Sequence, residues 1–227
     1  REAMDVTTHQ QTFDDFITSQ RGRNDDKWRP RWLKFADKVL DGAPPYLDLP
    51  TDRPRPSRPS GRGAVERRAL RASLQQRVVE VAQTLGARPF DVLLAAFYVL
   101  LHRYSKADDI VLGTPHAART QDGFEQIYGC LMNPLVVRCD LSGAPSFAEL
   151  VKRVQSATMK AFAYSDLTVE ALFEHRVGPR DPSRSPIYQV MFNYLNFPAF
   201  AAKWDGVQVE ERRGDPGGAM IDITFDV

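Results

Sequence analysis

One stretch decides the fold: residues 88–118 read "RPFDVLLAAFYVLLHRYSKADDIVLGTPHAA". Its first half places Pro89 in the first turn of a predicted helix and is apolar on nearly every side, unlike a helix at a protein surface. We therefore expect this helix to be enclosed against a sheet at the centre of the molecule. The second half predicts a short buried strand that is interrupted at Gly113-Thr114-Pro115.

Towards the amino terminus, a helical face is followed by a proline-rich connector. The face consists of four apolar residues spaced three or four apart: Trp28, Trp32, Phe35 and Val39. Gly42 ends this helix, and residues 43–63 contain too many prolines for a helix or a central strand. We divide the chain into amino-terminal helices with the connector (1–60) and a main unit (61–227), within a single domain overall.

The rest of the chain predicts a mixture of helices and strands. We expect a helix that begins at the N-cap residue Ser73 and ends at Gly86, and another after Ser146, with Glu149 completing a capping box. Strands are expected at 64–71, 128–141, 185–196, 206–213 and 219–227. Whether the last strand is complete stays open. The pattern predicts an α/β fold, a two-layer sandwich of a mixed sheet with helices.

The composition excludes some classes of partner. Thirty Lys and Arg against 29 Asp and Glu give a net charge of +1, which offers no reason to expect nucleic acid or a membrane as a partner. Residues 50–71 hold seven Arg, interleaved with Pro and Ser rather than with aromatic residues, which is typical of a solvated linker. The two cysteines lack metal-site spacing, and we find no signal or membrane-spanning run. We expect a cytoplasmic protein without a metal.

The residues themselves offer few candidates for chemistry. No phosphate-binding glycine loop, HExxH pair or nucleophile elbow occurs. His116 follows the predicted strand interruption, where a loop could face a cavity. Asn133 lies beside Pro134 in the apolar run "YGCLMNPLVVRCDL", and a buried amide must hydrogen-bond a partner. Two interpretations of Asn133 stay open: a strand-end amide bonded to nearby backbone, or a polar group in the wall of a reaction chamber.

Three motifs occur in a distinctive order. The first spans Tyr128 to Arg138 and contains Gly129 and Asn133. The second, at 165–170, reads Ser-Asp-Leu-Thr-Val-Glu, and only its acidic residues Asp166 and Glu170 fit the pattern given below. The third, at 180–187, reads Arg-Asp-Pro-Ser-Arg-Ser-Pro-Ile.

These motifs resemble the condensation domain of nonribosomal peptide synthetases, within the chloramphenicol acetyltransferase-like superfamily. The corresponding family patterns are Ile-Gly-x-Phe-Val-Asn-Thr-x-x-x-Arg, Gln-Asp with Pro-Phe-Glu, and Arg-Asp-x-Ser-Arg-Asn-Pro-Leu. The resemblance implies a V-shaped domain of two lobes with a tunnel between them. The family's His-His-x-x-x-Asp-Gly motif lies in the N-terminal lobe, and no His-His pair occurs in this chain. The chain therefore resembles the C-terminal lobe alone, with no catalytic residue of its own, and we expect it to be inactive in isolation.

The resemblance also implies roles for individual residues. Those expected to border the tunnel or orient the oxyanion are Asn133, Gly129, Gly113, Thr114, His116, Gln189 and Asn193. Those expected to be structural, in ion pairs that fix loops and the lobe interface, are Arg119, Arg138, Asp166, Arg180, Asp181 and Arg184. An isolated lobe would also leave an interface uncovered, so we expect residues 13–20 and the Trp28/Trp32 face to be partly exposed.

The implied partners are the N-terminal lobe, donor and acceptor peptidyl carrier proteins and a neighbouring adenylation domain. No cofactor is expected to bind directly, because the substrates arrive on phosphopantetheine arms of the carrier proteins. Two alternatives stay open: a non-catalytic relative that recruits a tailoring enzyme or a carrier protein, and an epimerisation or ester-forming relative. The weakened second motif favours the first of these slightly. Whether the chain is part of an active enzyme, and which amino acids are joined, is left open.

Overall fold

The computed structural model describes residues 11–23, 29–119, 122–175, 181–196, 206–207, 214–215 and 217–227. Within these ranges the helices are α1 (Phe13–Arg23), α2 (Arg29–Leu40), α3 (Ala72–Leu85), α4 (Pro89–Ser105), α5 (Phe147–Ala163) and α6 (Val169–His175), with a 3-10 helix at Phe124–Gln126. The strands are β1 (Asp109–His116), β2 (Asn133–Asp140), β3 (Val190–Asn193) and β4 (Ile223–Asp226).

The strands form one mixed sheet in the order β2-β1-β3-β4. β1 and β2 are antiparallel, with Asp109 opposite Asp140 at one end and His116 opposite Asn133 at the other. β3 is parallel to β1 and β4 is parallel to β3. The predicted α/β fold with a mixed sheet is confirmed.

The predicted interruption of β1 is wrong, because the strand continues through Pro115 to His116. Pro115 lies directly opposite Pro134 in the register. Proline has no N–H to donate, so this pair can form only where the two strands exchange no hydrogen bond. Two prolines facing each other therefore leave the ladder intact on either side.

α4 is the central helix, as predicted. Leu94, Ala95 and Tyr98 are fully buried, and the Tyr98 hydroxyl donates a hydrogen bond to the Val137 carbonyl of β2 (2.9 Å). α3 and α5 pack beside α4 on the same face of the sheet. α5 begins with the predicted capping box, in which the Ser146 and Glu149 side chains each accept a hydrogen bond from the other residue's backbone N–H.

The second face of the sheet is covered by α2 and α6. Trp32 and Ala36 of α2 pack with Val111 and Val136 of the sheet and with apolar residues of α6. The expected exposure of this region is wrong for Trp32, which is 6% exposed. Residues 13–20 are partly exposed, as expected: Phe13 is 39% exposed, whereas Phe16 is 7% exposed in a small cluster with Phe124, Ile127 and Leu131. Trp28 lies outside the described residues.

Other predicted boundaries differ from the structure. Residues 64–71 form no strand. Just before them, Arg62 and Gly218 form an isolated antiparallel β-bridge. α3 begins at Ala72 with Arg71 as its N-cap, so Ser73 lies inside the helix, whereas the end at Gly86 is confirmed by its left-handed backbone. The last strand is confirmed as β4, and most of 206–213 lies outside the described residues. The division at residue 60 stays a prediction.

No single helix in the described ranges is long and apolar enough to cross a membrane. α3 and α4 reach that length and apolarity only when they are counted together, across a bend of 102°.

Gly113 provides a test of how the second face packs. A Cβ at this position would lie 2.6 Å from the ring of Tyr188, which is itself 5% exposed and cannot easily move. We expect Gly113→Ala to lower the free energy of unfolding by about 1–3 kcal/mol through overpacking, measured by urea denaturation. The control is Gly22→Ala in α1, where a Cβ meets nothing within 4 Å and should be neutral or stabilising. Equal effects of the two substitutions would contradict the described packing.

Candidate functional site

The candidate site lies at one edge of the sheet. Because β1, β3 and β4 are parallel and β2 is antiparallel to β1, the carboxyl ends of β1, β3 and β4 lie at the same edge as the amino end of β2. We call this the carboxyl edge and define it by His116, Asn133, Asn193 and Asp226. Ligands of open α/β sheets bind most often outside such carboxyl ends. Three of the seven residues expected at the tunnel therefore converge here.

The side chain of Asn133 is 7% exposed and fully engaged with backbone. Its Nδ2 donates hydrogen bonds to the carbonyl oxygens of Ser165 (2.8 Å) and Leu167 (3.0 Å). Its Oδ1 accepts one from the N–H of Val169 (3.3 Å). The amide thus fastens the start of β2 to the connection between α5 and α6, as the first of the two open interpretations expects. A role in orienting substrate stays a prediction.

His116 differs from Asn133, its neighbour across the strand pair. Its ring contacts Phe162 of α5 edge-on, with centroids 5.4 Å apart. The Nε2 atom is buried without a hydrogen-bond partner among the described residues. Burial lowers the pKa of the imidazole from its ordinary value, and the charge of Asp166 acts in the opposite direction. The imidazole is therefore neutral at neutral pH.

Gly129 and Arg119 shape the segment that leads into β2. Gly129 has a φ of 149°, and a Cβ there would lie 2.5 Å from the ring of Phe13, so the position requires glycine. Arg119 donates hydrogen bonds to the carbonyls of Phe124 (2.8 Å), Ile127 (2.9 Å) and Gly129 (3.1 Å). The guanidinium thus joins the backbone at three positions of this segment.

Large apolar side chains are exposed in the same segment. Tyr128 is 87% exposed, and Met132, which directly precedes β2, is 55% exposed. Cys130 is also exposed. Exposed apolar groups clustered beside a polar site are typical of a surface that another protein or domain covers.

The remaining tunnel candidates are more dispersed. Thr114 is buried in β1, opposite Leu135. Gly113 lies in the middle of the sheet against Tyr188. Gln189 precedes β3, away from the carboxyl edge, where its Oε1 accepts from the N–H of Leu47 (2.7 Å) and its Nε2 donates to the carbonyl of Ser185 (2.8 Å).

Three of the six residues expected to be structural, Arg138, Asp181 and Arg184, form ion pairs among the described residues. Arg138 binds the carboxylate of Asp109 through Nε and Nη2 and donates from Nη1 to the carbonyls of Val39 (2.8 Å) and Asp41 (2.7 Å). It therefore joins the end of α2 to the β1–β2 pair. The pKa of Arg138 is raised by its hydrogen bonds to Asp109.

The third motif makes similar contacts around the connector. Arg184 lies over the ring of Tyr46, 4.1 Å from its centroid, and pairs with Asp48 (3.1 Å). Asp181 accepts hydrogen bonds from the Ser183 N–H (2.8 Å) and hydroxyl (2.6 Å), which lower its pKa. Asp166 is half-buried near His116, and Arg180 lies outside the described residues.

Sequence reasoning missed an ion pair between a half-exposed Arg88 and a buried Asp91 at the start of α4. Asp91 is fully buried and binds Arg88 in bidentate fashion (2.8 Å for each contact), and both residues hydrogen-bond Thr158 of α5. The Arg88 guanidinium also lies 5.5 Å from the centroid of Phe162, the ring that contacts His116. The sequence signal for this ion pair is Asp91, a carboxylate within the otherwise apolar run of residues 90–101.

An apolar cleft opens beside Pro134 on the second face of the sheet. This shallow cleft lies between α2, β2 and the α5–α6 connection and takes up about 340 Å³, including its open mouth; the stacked rings of Phe35 and Tyr164 line it. Among the residues that the structure describes, no group of three His, Cys, Asp or Glu side chains could hold a metal ion.

Comparison with known proteins identifies the family. A family model described as "Condensation domain" matches residues 2–220. One of the proteins that make up the linear gramicidin synthase of Brevibacillus parabrevis is 36% identical over 87% of this chain. Phosphinothricin tripeptide synthetase PhsB of Streptomyces viridochromogenes is 38% identical over 83% of it. The complex of the X-domain and OxyB from teicoplanin biosynthesis contains a chain with 32% identity and a TM-score of 0.72 over 80% of this chain.

The chain spans only part of each of these proteins. It covers 2% of the gramicidin synthase protein, 16% of PhsB and 41% of the solved chain.

Alanine at position 133 separates the two interpretations of Asn133. Asn133→Ala should lower the free energy of unfolding of the 227-residue chain by about 3 kcal/mol, because two buried carbonyls and one buried N–H lose their partner. Asn193→Ala, which removes a half-exposed amide at the same edge, serves as the control and should change stability by about 0.5 kcal/mol or less. Urea denaturation measures both. An unchanged free energy of unfolding in Asn133→Ala would instead favour an amide that faces the reaction chamber and contacts substrate.

Proposed function

The chain belongs to the condensation-domain family of nonribosomal peptide synthetases, and on that premise we propose that it is the C-terminal lobe of such a domain. It forms one wall of the tunnel in which a carrier-bound acyl or peptidyl thioester is joined to a carrier-bound aminoacyl amine. The observation that carries this proposal is the position of Asn133, which matches the family motif, at the carboxyl edge beside the exposed side chains of Tyr128 and Met132.

The proposed reaction joins two substrates that arrive on phosphopantetheine arms. The amine nitrogen of the acceptor attacks the thioester carbonyl of the donor, the C–S bond breaks, and the proton lost by the amine ends on the departing thiol. Aminolysis of a thioester is downhill, so holding the two reactants in contact supplies much of the acceleration. This lobe contributes to that positioning. Asn133 fastens the start of β2 to the α5–α6 connection, and Arg119 hydrogen-bonds the segment that leads into β2.

The chain contains no His-His pair, so we assign the handling of the amine proton to the N-terminal lobe. The further partners in this proposal are the donor and acceptor carrier proteins and an adenylation domain. The exposed side chains of Tyr128, Cys130 and Met132 form the surface that we assign to the N-terminal lobe, because burying them in a lobe interface removes their contact with water.

A second function has one observation in its favour. The teicoplanin X-domain, which is solved in complex with OxyB, is similar to this chain at 32% identity. In this alternative, the domain that contains the chain recruits a tailoring enzyme and forms no amide. Residues 165–170 match the second family motif only in part, as we expect of a domain that no longer forms an amide.

An amide-synthesis assay tests the proposal. Donor and acceptor carrier proteins, loaded with a panel of aminoacyl groups, are mixed with this chain alone or with the complete two-lobe domain, and the carrier-bound product is measured by mass spectrometry. We expect product from the complete domain and none above background from the chain alone. The control is the complete domain in which the second His of the His-His motif is replaced by Ala.

The outcomes separate the two functions. Product from the chain alone would contradict the requirement for a second lobe. A complete domain that forms no product with any carrier pair, yet binds a purified oxygenase from its own biosynthetic cluster, would favour recruitment.

A further inference from the structure

Residues 53–77 concentrate positive charge in a way that the rest of the chain does not share. They hold eight Arg and one acidic residue, Glu66, with no Lys and no aromatic residue. The whole chain has a net charge of +1, so the residues outside this segment carry a net negative charge. Concentrated like charge destabilises a folded chain through self-repulsion, so its presence calls for an explanation. We call residues 53–77 the arginine segment.

The arginine segment is held against the rest of the chain, although it has no helix or strand before α3 begins. Arg55 forms an ion pair with Asp222, which directly precedes β4. The N–H of Gly63 donates a hydrogen bond to the carbonyl of Gly217 (2.9 Å), and a Cβ at Gly63 would lie 2.8 Å from the backbone of Gly218. The segment therefore has a defined backbone, and a partner that binds it loses less free energy in ordering it.

Most of the guanidinium groups in this segment have no counter-charge. Three are engaged, since Arg55 pairs with Asp222, Arg67 donates to a backbone carbonyl and Arg68 pairs with Glu66. The other five are exposed and form no ion pair in the part of the chain that the structure describes: Arg53, Arg58, Arg62, Arg71 and Arg77. A free guanidinium binds a carboxylate in bidentate fashion, which the ammonium group of Lys does not do.

Apolar side chains are exposed among these charges. Leu70 is 64% exposed, and Leu74 and Val81 of α3 are 44% and 39% exposed. Leu74, Arg77 and Val81 are three and four residues apart, so they form one row along the helix. Arg beside exposed aliphatic groups is typical of a protein interface. Single-stranded nucleic acid would require aromatic side chains for stacking, and the arginine segment has none.

We propose that the arginine segment, together with the row on α3, is a docking surface for an acidic amphipathic helix of another protein or domain. Such a helix places apolar residues along one face at the same three- and four-residue spacing, with carboxylates beside them. Its apolar face covers Leu70, Leu74 and Val81, and its carboxylates bind the free Arg side chains. The proposal does not depend on whether the domain forms an amide.

This surface is separate from the carboxyl edge. Asp222, which anchors Arg55, directly precedes the first residue of β4, and β4 ends at the carboxyl edge with Asp226. The anchor therefore lies at the opposite edge of the sheet. The acidic helix and the second lobe can bind at the same time.

The first test measures the binding of a fluorescein-labelled synthetic helix of Glu, Leu and Ala by fluorescence anisotropy. Both the 227-residue chain and the complete two-lobe domain should bind it. In either protein, the triple variant Arg58→Gln, Arg62→Gln and Arg71→Gln should increase the Kd about 10-fold, because three charge-assisted contacts are lost. The matched control removes three exposed positive charges from α4 and α5, by Arg103→Gln, Lys152→Gln and Lys160→Gln, and should leave the Kd unchanged.

The apolar contacts are tested separately. Leu70→Gln combined with Leu74→Gln should increase the Kd about 5-fold, and a helix with Ser in place of Leu should bind more weakly by a similar factor. An equal loss of affinity in the triple variant and its matched control would overturn the proposal, because net charge alone would then explain binding. A complete domain that does not bind the helix would also overturn it, because the rest of the domain would then cover the surface.

Two further probes distinguish the class of partner. Double-stranded DNA and vesicles that contain phosphatidylserine are compared with the acidic helix at the same ionic strength, and the helix should bind more tightly than either. Tighter binding of DNA or of vesicles, lost in the triple variant, would overturn the proposal, because phosphate groups would then be the ligands of these guanidinium groups.

Discussion

Asn133 carries a buried amide, and the way this amide is satisfied organises the structure around it. Its hydrogen bonds to Ser165, Leu167 and Val169 tie the start of β2 to the connection that leads into α6. α6 is only a short helix and packs together with α2 against the second face of the sheet. These hydrogen bonds add a polar attachment to the apolar packing of α6 against the second face. Asn133, a polar residue in an apolar run, therefore connects the sheet to the helices that cover its second face.

The same edge contains a polar atom that the chain does not satisfy. Asn133 and His116 are adjacent in register, yet one is saturated by backbone and the other keeps a buried nitrogen without a partner among the described residues. The loop beside them exposes Tyr128 and Met132, and Arg119 hydrogen-bonds its backbone carbonyls. The exposed apolar side chains at this edge support the proposed lobe, because a second lobe would cover them.

The sequence predicted the elements whose signals are local and strong. α4 follows from its apolar composition, and α5 follows from the capping pair Ser146 and Glu149. Features that depend on a partner far away in sequence were missed. β1 continues through Pro115 because Pro134 lies opposite, and Trp32 is buried because α6 covers it. For the site, the motif led to Asn133, but whether its amide faces backbone or a chamber depends on the α5–α6 connection 32 to 36 residues away.

Amide hydrogen exchange, compared between this chain alone and the complete domain, tests the central claim that the carboxyl edge faces a second lobe. The account predicts that exchange slows at residues 116–119 and 128–133 when the N-terminal lobe is present. Residues 140–146, at the opposite edge of the sheet, should exchange at the same rate in both. Protection at 140–146 with unchanged exchange at 116–119 and 128–133 would contradict the account.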